Sequence, residues 1–213
     1  MARLAAALVL MFILAVCAKE PVNKEKTMDL SKDEKILLLK LARQSLESSV
    51  QRKAMEPAKD VPAKFKENCG AFVTLTKNHE LRGCIGYILP VAPLYETVIE
   101  MAKAAALHDN RFNPVEPSEL KDIELEISVL TPPEDIPSIK EFIIGKHGII
   151  INLRGRQAVF LPQVAVEQKW DKETTLKHLC LKAGLEPDAW KDSEMSFRVF
   201  EAIVFEEKAL LPR

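Results

Sequence analysis

Two stretches of this chain call for antiparallel strand pairing, and they set the fold class before anything else. Residues 71–76 (AFVTLT) and 81–88 (LRGCIGYI) are extended candidates on either side of Lys77-Asn78-His79-Glu80, which is turn chemistry. Residues 148–153 and 157–161 flank Arg154-Gly155-Arg156 in the same way. Connections this short join neighbouring strands of opposite direction, because a parallel pair needs a long crossover. The rest of the chain adds helices without a regular strand-helix-strand rhythm, so the expected class is α+β.

The helices are marked at their ends. Ser31-Lys32-Asp33-Glu34 has capping-box spacing, and Ile36, Leu37, Leu39, Leu41, Ala42, Leu46 and Val50 follow on one broad apolar face, with Pro57 and Pro62 beyond. Pro93 opens a second helix whose Leu94, Val98, Met101, Ala102 and Ala105 recur at helical spacing to about Leu107. Asp171 caps a third, in which Leu176, Leu179, Cys180 and Ala183 share a face before Gly184. Ile123, Leu125, Ile127 and Val129 alternate with Glu124, Glu126 and Ser128, the pattern of a strand with one buried face. Residues 197–205 read as a single closing strand, and 108–114 as a polar loop blocked by Pro114.

The 213 residues are 47% apolar and 29% charged, enough for a real core in one domain or two small lobes. Thirty basic against 31 acidic side chains, with no basic run, argue against nucleic acid as a partner. Residues 1–18 differ in kind: one Arg3, an apolar block and small residues, the layout of an export signal and too short to be a preferred membrane span. Two processing routes stay open, cleavage after Ala18 or acylation of Cys17 in a lipoprotein box, and the expected location is periplasmic or lipid-anchored at a membrane. Residues 19–30 read as a polar tether, 31–206 as the folded domain and 207–213 as a tail.

Cys84 is the residue to which chemistry attaches. A hairpin turning at Asn78-His79 sets Val73 opposite Cys84 and Leu75 opposite Arg82, so Arg82 and Cys84, two apart, share a sheet face. A nearby guanidinium favours thiolate, and Gly83 and Gly86 leave room beside the sulfur for a ligand or another backbone. Against this, free cysteine is among the most buried residue types, and strand glycine often marks only a bulge. Both readings stay open here. Cys180 falls on an apolar helical face and reads as core. In the same register Cys69 lies about 13 Å along the strand from Cys84, too far for a direct disulfide. His79, His108, His147 and His178 lack metal-ligand spacing, and no cofactor is implied. Asp109 and Arg111 suit a surface ion pair or one wall of a polar pocket.

Taken in order, CGAFVTL (69–75), LRGCIG (81–86), DNRFNP (109–114), ISVL (127–130), GKHG (145–148), FLPQV (160–164) and LCLKAGL (179–185) resemble the AMMECR1 domain family. The resemblance covers about residues 31–206. It implies a compact two-lobed α+β fold with an antiparallel sheet flanked by helices, and a place beside a Memo-like protein and a radical S-adenosylmethionine protein in an AmmeMemoRadiSam-type system. It also implies that the LRGCIG stretch is the active or recognition region. Two functions follow. In one, the chain is an accessory or binding module whose Gly83, Gly86, Asp109, Arg111, Phe112 and His147 help form a site for a small-molecule ligand or a protein partner. In the other, it is an enzyme in which Cys84 acts on a small substrate and Arg82 stabilises the thiolate or an anion.

Overall fold

The computed structural model describes residues 29–211. The segment read as an export signal, Cys17 and nearly all of the expected tether therefore lie outside the described residues. Among those described, no helix is long and apolar enough to cross a membrane.

The described residues build two four-stranded sheets, every ladder among them antiparallel. The first contains β1 (Ala71–Lys77), β2 (Glu80–Tyr87), β3 (Ile123–Leu130) and β8 (Ala202–Glu206) in the order β2-β1-β3-β8. The second contains β4 (Glu134–Asp135), β5 (Gly148–Leu153), β6 (Arg156–Phe160) and β7 (Ser196–Phe200) in the order β4-β7-β5-β6. Helices α1 (Lys32–Val50) and α2 (Leu94–Leu107) cover one face of the first sheet. α3 (Pro162–Glu167) and α4 (Lys172–Lys182) belong to the second, and a short α5 (Glu207–Leu210) follows β8.

Local chemistry accounts for these boundaries. The capping box of α1 forms as expected: Glu34 N–H donates to Ser31 Oγ at 3.3 Å and Ser31 N–H to Glu34 Oε2 at 2.8 Å. Asp171 Oδ1 accepts Thr174 N–H at 2.7 Å and starts α4. The apolar alternation of β1 and β3 delivers Ala71, Val73, Leu75, Ile123, Leu125, Ile127 and Val129 to a core shared with Leu38, Leu46, Val98 and Met101. Ile149, Ile151 and Leu153 of β5 make a second core with Leu176, Leu179 and Cys180, so Cys180 is a packing residue as its helical face requires. At roughly 1.5–3 kcal/mol per fully buried aliphatic side chain, these two cores dominate the stability of their lobes.

Two expectations are corrected. The closing strand over 197–205 is two strands, β7 and β8, which belong to different sheets and break at Glu201. The outgoing crossover after β3 runs beside it, and the two are joined: Thr131 N–H donates to Glu201 C=O and Glu201 N–H to Thr131 Oγ1, at 2.9 and 2.8 Å. The run from Phe197 to Phe205 stays largely apolar through the break and holds no Gly, Pro, Asn or Asp, which is why the pattern hides it. The domain also reaches past both ends assigned to it. Leu30 is 3% exposed and joins the first core, while Glu207 is buried and its carboxylate accepts Arg43 Nε–H at 2.9 Å.

The lobes meet along a third apolar cluster of Leu130, Ile150 and Phe200, flanked by Phe72, Ile88, Val159, Leu161 and Ala202. The face of the first sheet turned away from α1 and α2 thus looks toward the second lobe. Phe72, Thr74, Cys84, Gly86, Glu126 and Ser128 lie on it.

Candidate functional site at the edge strand

Among the described residues, β2 is an outer strand of its sheet and pairs only with β1. Its register is continuous from Ala71↔Tyr87 to Leu75↔Gly83, then slips by one so that Thr76 faces Leu81. Arg82 is the extra residue, a β-bulge. Thr74, not Val73, therefore opposes Cys84, and the expected shared face of Arg82 and Cys84 is lost.

Arg82 turns instead toward the loop beyond α2. Its Nε and Nη2 donate to the two carboxylate oxygens of Glu119 at 3.1 and 3.0 Å, and Nη1 and Nη2 donate to the carbonyls of Asn113 and Pro114 at 2.9 and 3.3 Å. Lys77 Nζ joins at 3.0 Å. These bonds, with Arg82 first among them, hold the Glu119 carboxyl down at about 2. Arg82 is a staple for the loop.

The same loop closes over Cys84 from the open edge of the sheet. Cys84 N–H donates to Asp109 Oδ2 at 2.9 Å, and Arg111 Nη2 donates to the Cys84 carbonyl at 3.2 Å. Asp109 and Arg111 are themselves paired through Nε–Oδ1 and Nη2–Oδ2 bonds of 2.9 and 2.7 Å. The Asp109 side chain is only 2% exposed, and the Arg111 guanidinium holds its carboxyl well below the usual carboxylate range. Both outward-facing polar groups of residue 84 are thus satisfied by an ion pair, so this point of the edge cannot take a further strand. Phe112 lies between two cations, with the Arg111 and Arg82 guanidinium carbons 5.5 and 6.0 Å from its ring centroid.

The thiol is half-buried, and Thr74 Oγ1 donates to its sulfur at 3.3 Å. Burial pushes the Cys84 thiol above its ordinary value; the Thr74 bond and the Arg111 charge oppose this, while Asp109 and Glu126 reinforce it. The depressed value expected from Arg82 is corrected, because that guanidinium is spent on Glu119. Cys69 is buried more completely and is pushed up to about 11. Cys84 and Cys180 are free thiols.

The glycines serve the protein itself. A Cβ on Gly83 would lie 2.2 Å from the Ala105 carbonyl oxygen of α2, and one on Gly86 would lie 2.3 Å from the Phe72 ring. The close approach anticipated beside the sulfur is made by a helix terminus and an aromatic ring. His147 sits in another setting: its Nδ1 accepts Ile143 N–H at 3.3 Å, and burial followed by the Lys146 charge lowers its pKa.

Four contributors escaped the sequence reading. Thr74 was hidden by the one-residue slip. Glu119 is 37 positions from Arg82, and no local pattern links them. Lys182, the last residue of α4, donates from Nζ to the Val159 carbonyl at 2.9 Å and lies 5.0 Å from the Phe160 ring. Burial lowers its pKa, as does Arg111, while Cys84 opposes this, which ties the second lobe electrostatically to the site. Glu126 faces Thr74 across the ladder, and its pKa is raised by burial and by Glu206 and Glu167. Among the described residues, no group of three or more His, Cys, Asp or Glu side chains could hold a metal ion.

Fold and site together define a class: a two-lobed α+β protein whose bulged edge strand is locked at one cysteine by an Asp-Arg pair. The AMMECR1 family profile matches residues 39–205, and the chain belongs to that family. It is similar to a protein of Methanothermobacter thermautotrophicus, 44% identical over 191 residues that span 85% of this chain and 98% of the other. A protein of Methanopyrus kandleri is 43% identical over 188 residues, covering 84% and 91%. The crystal structure of an uncharacterized protein from Pyrococcus horikoshii superposes with a TM-score of 0.76 at 40% identity, covering 80% of this chain and 90% of that one.

Proposed function

We propose that this protein is a binding or accessory module, with its recognition surface at the LRGCIG strand edge and the adjoining 109–112 loop. The observation that carries this reading is the immobilisation of Cys84: its N–H and C=O are held by Asp109 and Arg111, while burial pushes its thiol pKa up. A thiol nucleophile needs a base or a depressed pKa, and the groups around this sulfur supply a hydroxyl donor and a net upward shift. A surface held this rigidly suits recognition, since little order remains to be imposed on binding. Phe112 with its two flanking guanidiniums is the natural anchor, because interface energy concentrates in aromatic and arginine side chains.

The family resemblance supplies the proposed partner set, a Memo-like protein and a radical S-adenosylmethionine protein of an AmmeMemoRadiSam-type system. Export through residues 1–18, with or without lipid on Cys17, is proposed for the same chain, and the intact mass of the mature protein separates the two processing routes. The module reading is tested by capture of a purified Memo-like protein. Phe112→Ala is expected to weaken capture at least about tenfold while melting stays cooperative. Capture indifferent to Phe112 and Arg111 substitutions would overturn the site. Selective alkylation of Cys84 by iodoacetamide at neutral pH, with an activity lost in Cys84→Ser, would replace the module with a thiol enzyme.

A further inference from the structure

Four residues form one row across the first sheet on the face turned to the second lobe. Cys84 faces Thr74, Thr74 faces Glu126, and Glu126 faces Glu206. Two glutamates directly opposite each other repel, a pairing that sheets ordinarily avoid. Among the described residues neither has a salt-bridge partner, and Glu167 of α3 adds a third negative charge. The other end of the row is positive. Arg111 leaves about half of its side chain exposed (52%), and its Nη1 takes no part in the bonds to Asp109 and Cys84. Lys182 arrives from the second lobe, anchored by the carbonyl of Val159, a seam residue, and its charge acts on both Arg111 and Cys84.

Between the poles lie a thiol and a hydroxyl, and one row along the same face lies an orphaned polar group. Ser128, the next residue after Glu126 on that face of β3, is 1% exposed, and its hydroxyl has no hydrogen-bond partner. Across the seam, Gln163 Oε1 is also buried without a partner, one helical turn before Glu167. Buried polar atoms are rarely left unpaired, and those that are call for an explanation such as a bound molecule. Facing strand residues are about 5 Å apart, so Cys84 and Glu126 are separated by roughly 10 Å.

We propose that the sheet face over the Cys84-Thr74-Glu126-Glu206 row binds a short zwitterion, an amino-carboxylate with its charges roughly 5–10 Å apart. Its carboxylate sits between Arg111 and Lys182, and its ammonium against Glu126 and Glu206. The inference rests on reading this edge as a recognition surface and adds the ligand class to it. A simple anion would meet the glutamates, and a simple amine would meet Arg111 and Lys182. Only a molecule bearing both charges is complementary along the whole row.

Isothermal titration of the purified full chain with aminocaproate, caproate and hexylamine tests this. Aminocaproate is expected to bind, and each single-charge analogue to bind at least about tenfold more weakly. Lys182→Met and Glu126→Gln, neither in a core, are each expected to weaken aminocaproate about tenfold while melting stays cooperative. No binding of aminocaproate, equal binding of caproate, or indifference to both substitutions overturns the proposal. Capture of the protein partner that persists when aminocaproate does not bind removes the ligand class and leaves the module reading. Capture that ignores the loop substitutions removes the module reading instead.

Discussion

The two hairpins turn alike and then part company. Asn78-His79 and Arg154-Gly155 both have positive φ at each position, 53° and 67° in the first and 50° and 85° in the second, the mirror-type turn that suits the strand twist. The β5–β6 ladder then runs without interruption from Leu153↔Arg156 to Ile149↔Phe160. The β1–β2 ladder slips after two pairs, and the residue it ejects is Arg82. One hairpin builds a core wall; the other, with one residue more, re-aims a cation toward a loop and leaves a thiol facing the second lobe. A bulge at a sheet edge is thus the step from architecture to site.

Substitutions can break this contrast, and the largest effect is expected inside the bulged hairpin. Gly83→Ala drives a Cβ into the Ala105 carbonyl at 2.2 Å, where backbone has to move. A loss of about 3 kcal/mol or more in urea unfolding is expected. A near-neutral result would mean that β2 separates from α2 without cost.

Arg82→Gln comes next. The Arg82 and Glu119 side chains are each 15% exposed, and removing the cation leaves the carboxylate to Lys77 and the Glu116 N–H and frees two loop carbonyls. A loss of about 2 kcal/mol is expected, together with faster proteolysis within 109–114 that the regular hairpin does not share. The same pair sets an acid limb. Glu119 is lowered from 4.5 to about 2 in the folded protein, so the stability it contributes is complete above pH 4.5 and is lost as pH falls through about 2. Glu119→Gln should flatten the unfolding free energy across that window, and an unchanged slope would dissolve the staple.

The smallest effect belongs to the regular hairpin. A Cβ on Gly155 meets nothing within 4 Å, so Gly155→Ala pays only for its positive φ of 85°, about 1 kcal/mol by thermal unfolding. A loss as large as that of Gly83→Ala would erase the distinction between space and backbone conformation drawn here.

Much of the fold was legible in local chemistry. Ser31 and Glu34, Asp171, the alternation of Ile123 to Val129 and both turns name their elements because each acts within a few residues of itself. The site was legible only in its membership. Cys84, Asp109 and Arg111 are brought together, yet their relation differs from the one their spacing suggests. Counting by twos from Cys84 to Arg82 assumes an unbroken pleat, and a bulge inverts the answer without changing composition. The break at Glu201 is hidden for another reason, since a largely apolar run without a turn residue continues across it while the chain passes from one sheet to the other.

Taken alone, the order of residues determined which segments coil, extend or turn, and which side chains go inward, because those outcomes depend on neighbours in the chain and on apolar periodicity. The meeting of Arg82 with Glu119, the closure of Asp109 and Arg111 on the Cys84 peptide, and the arrival of Lys182 from the other lobe were decided by tertiary structure alone. Each joins residues at least 25 positions apart. Their contact depends on how two sheets and a loop pack in space, which no local preference encodes.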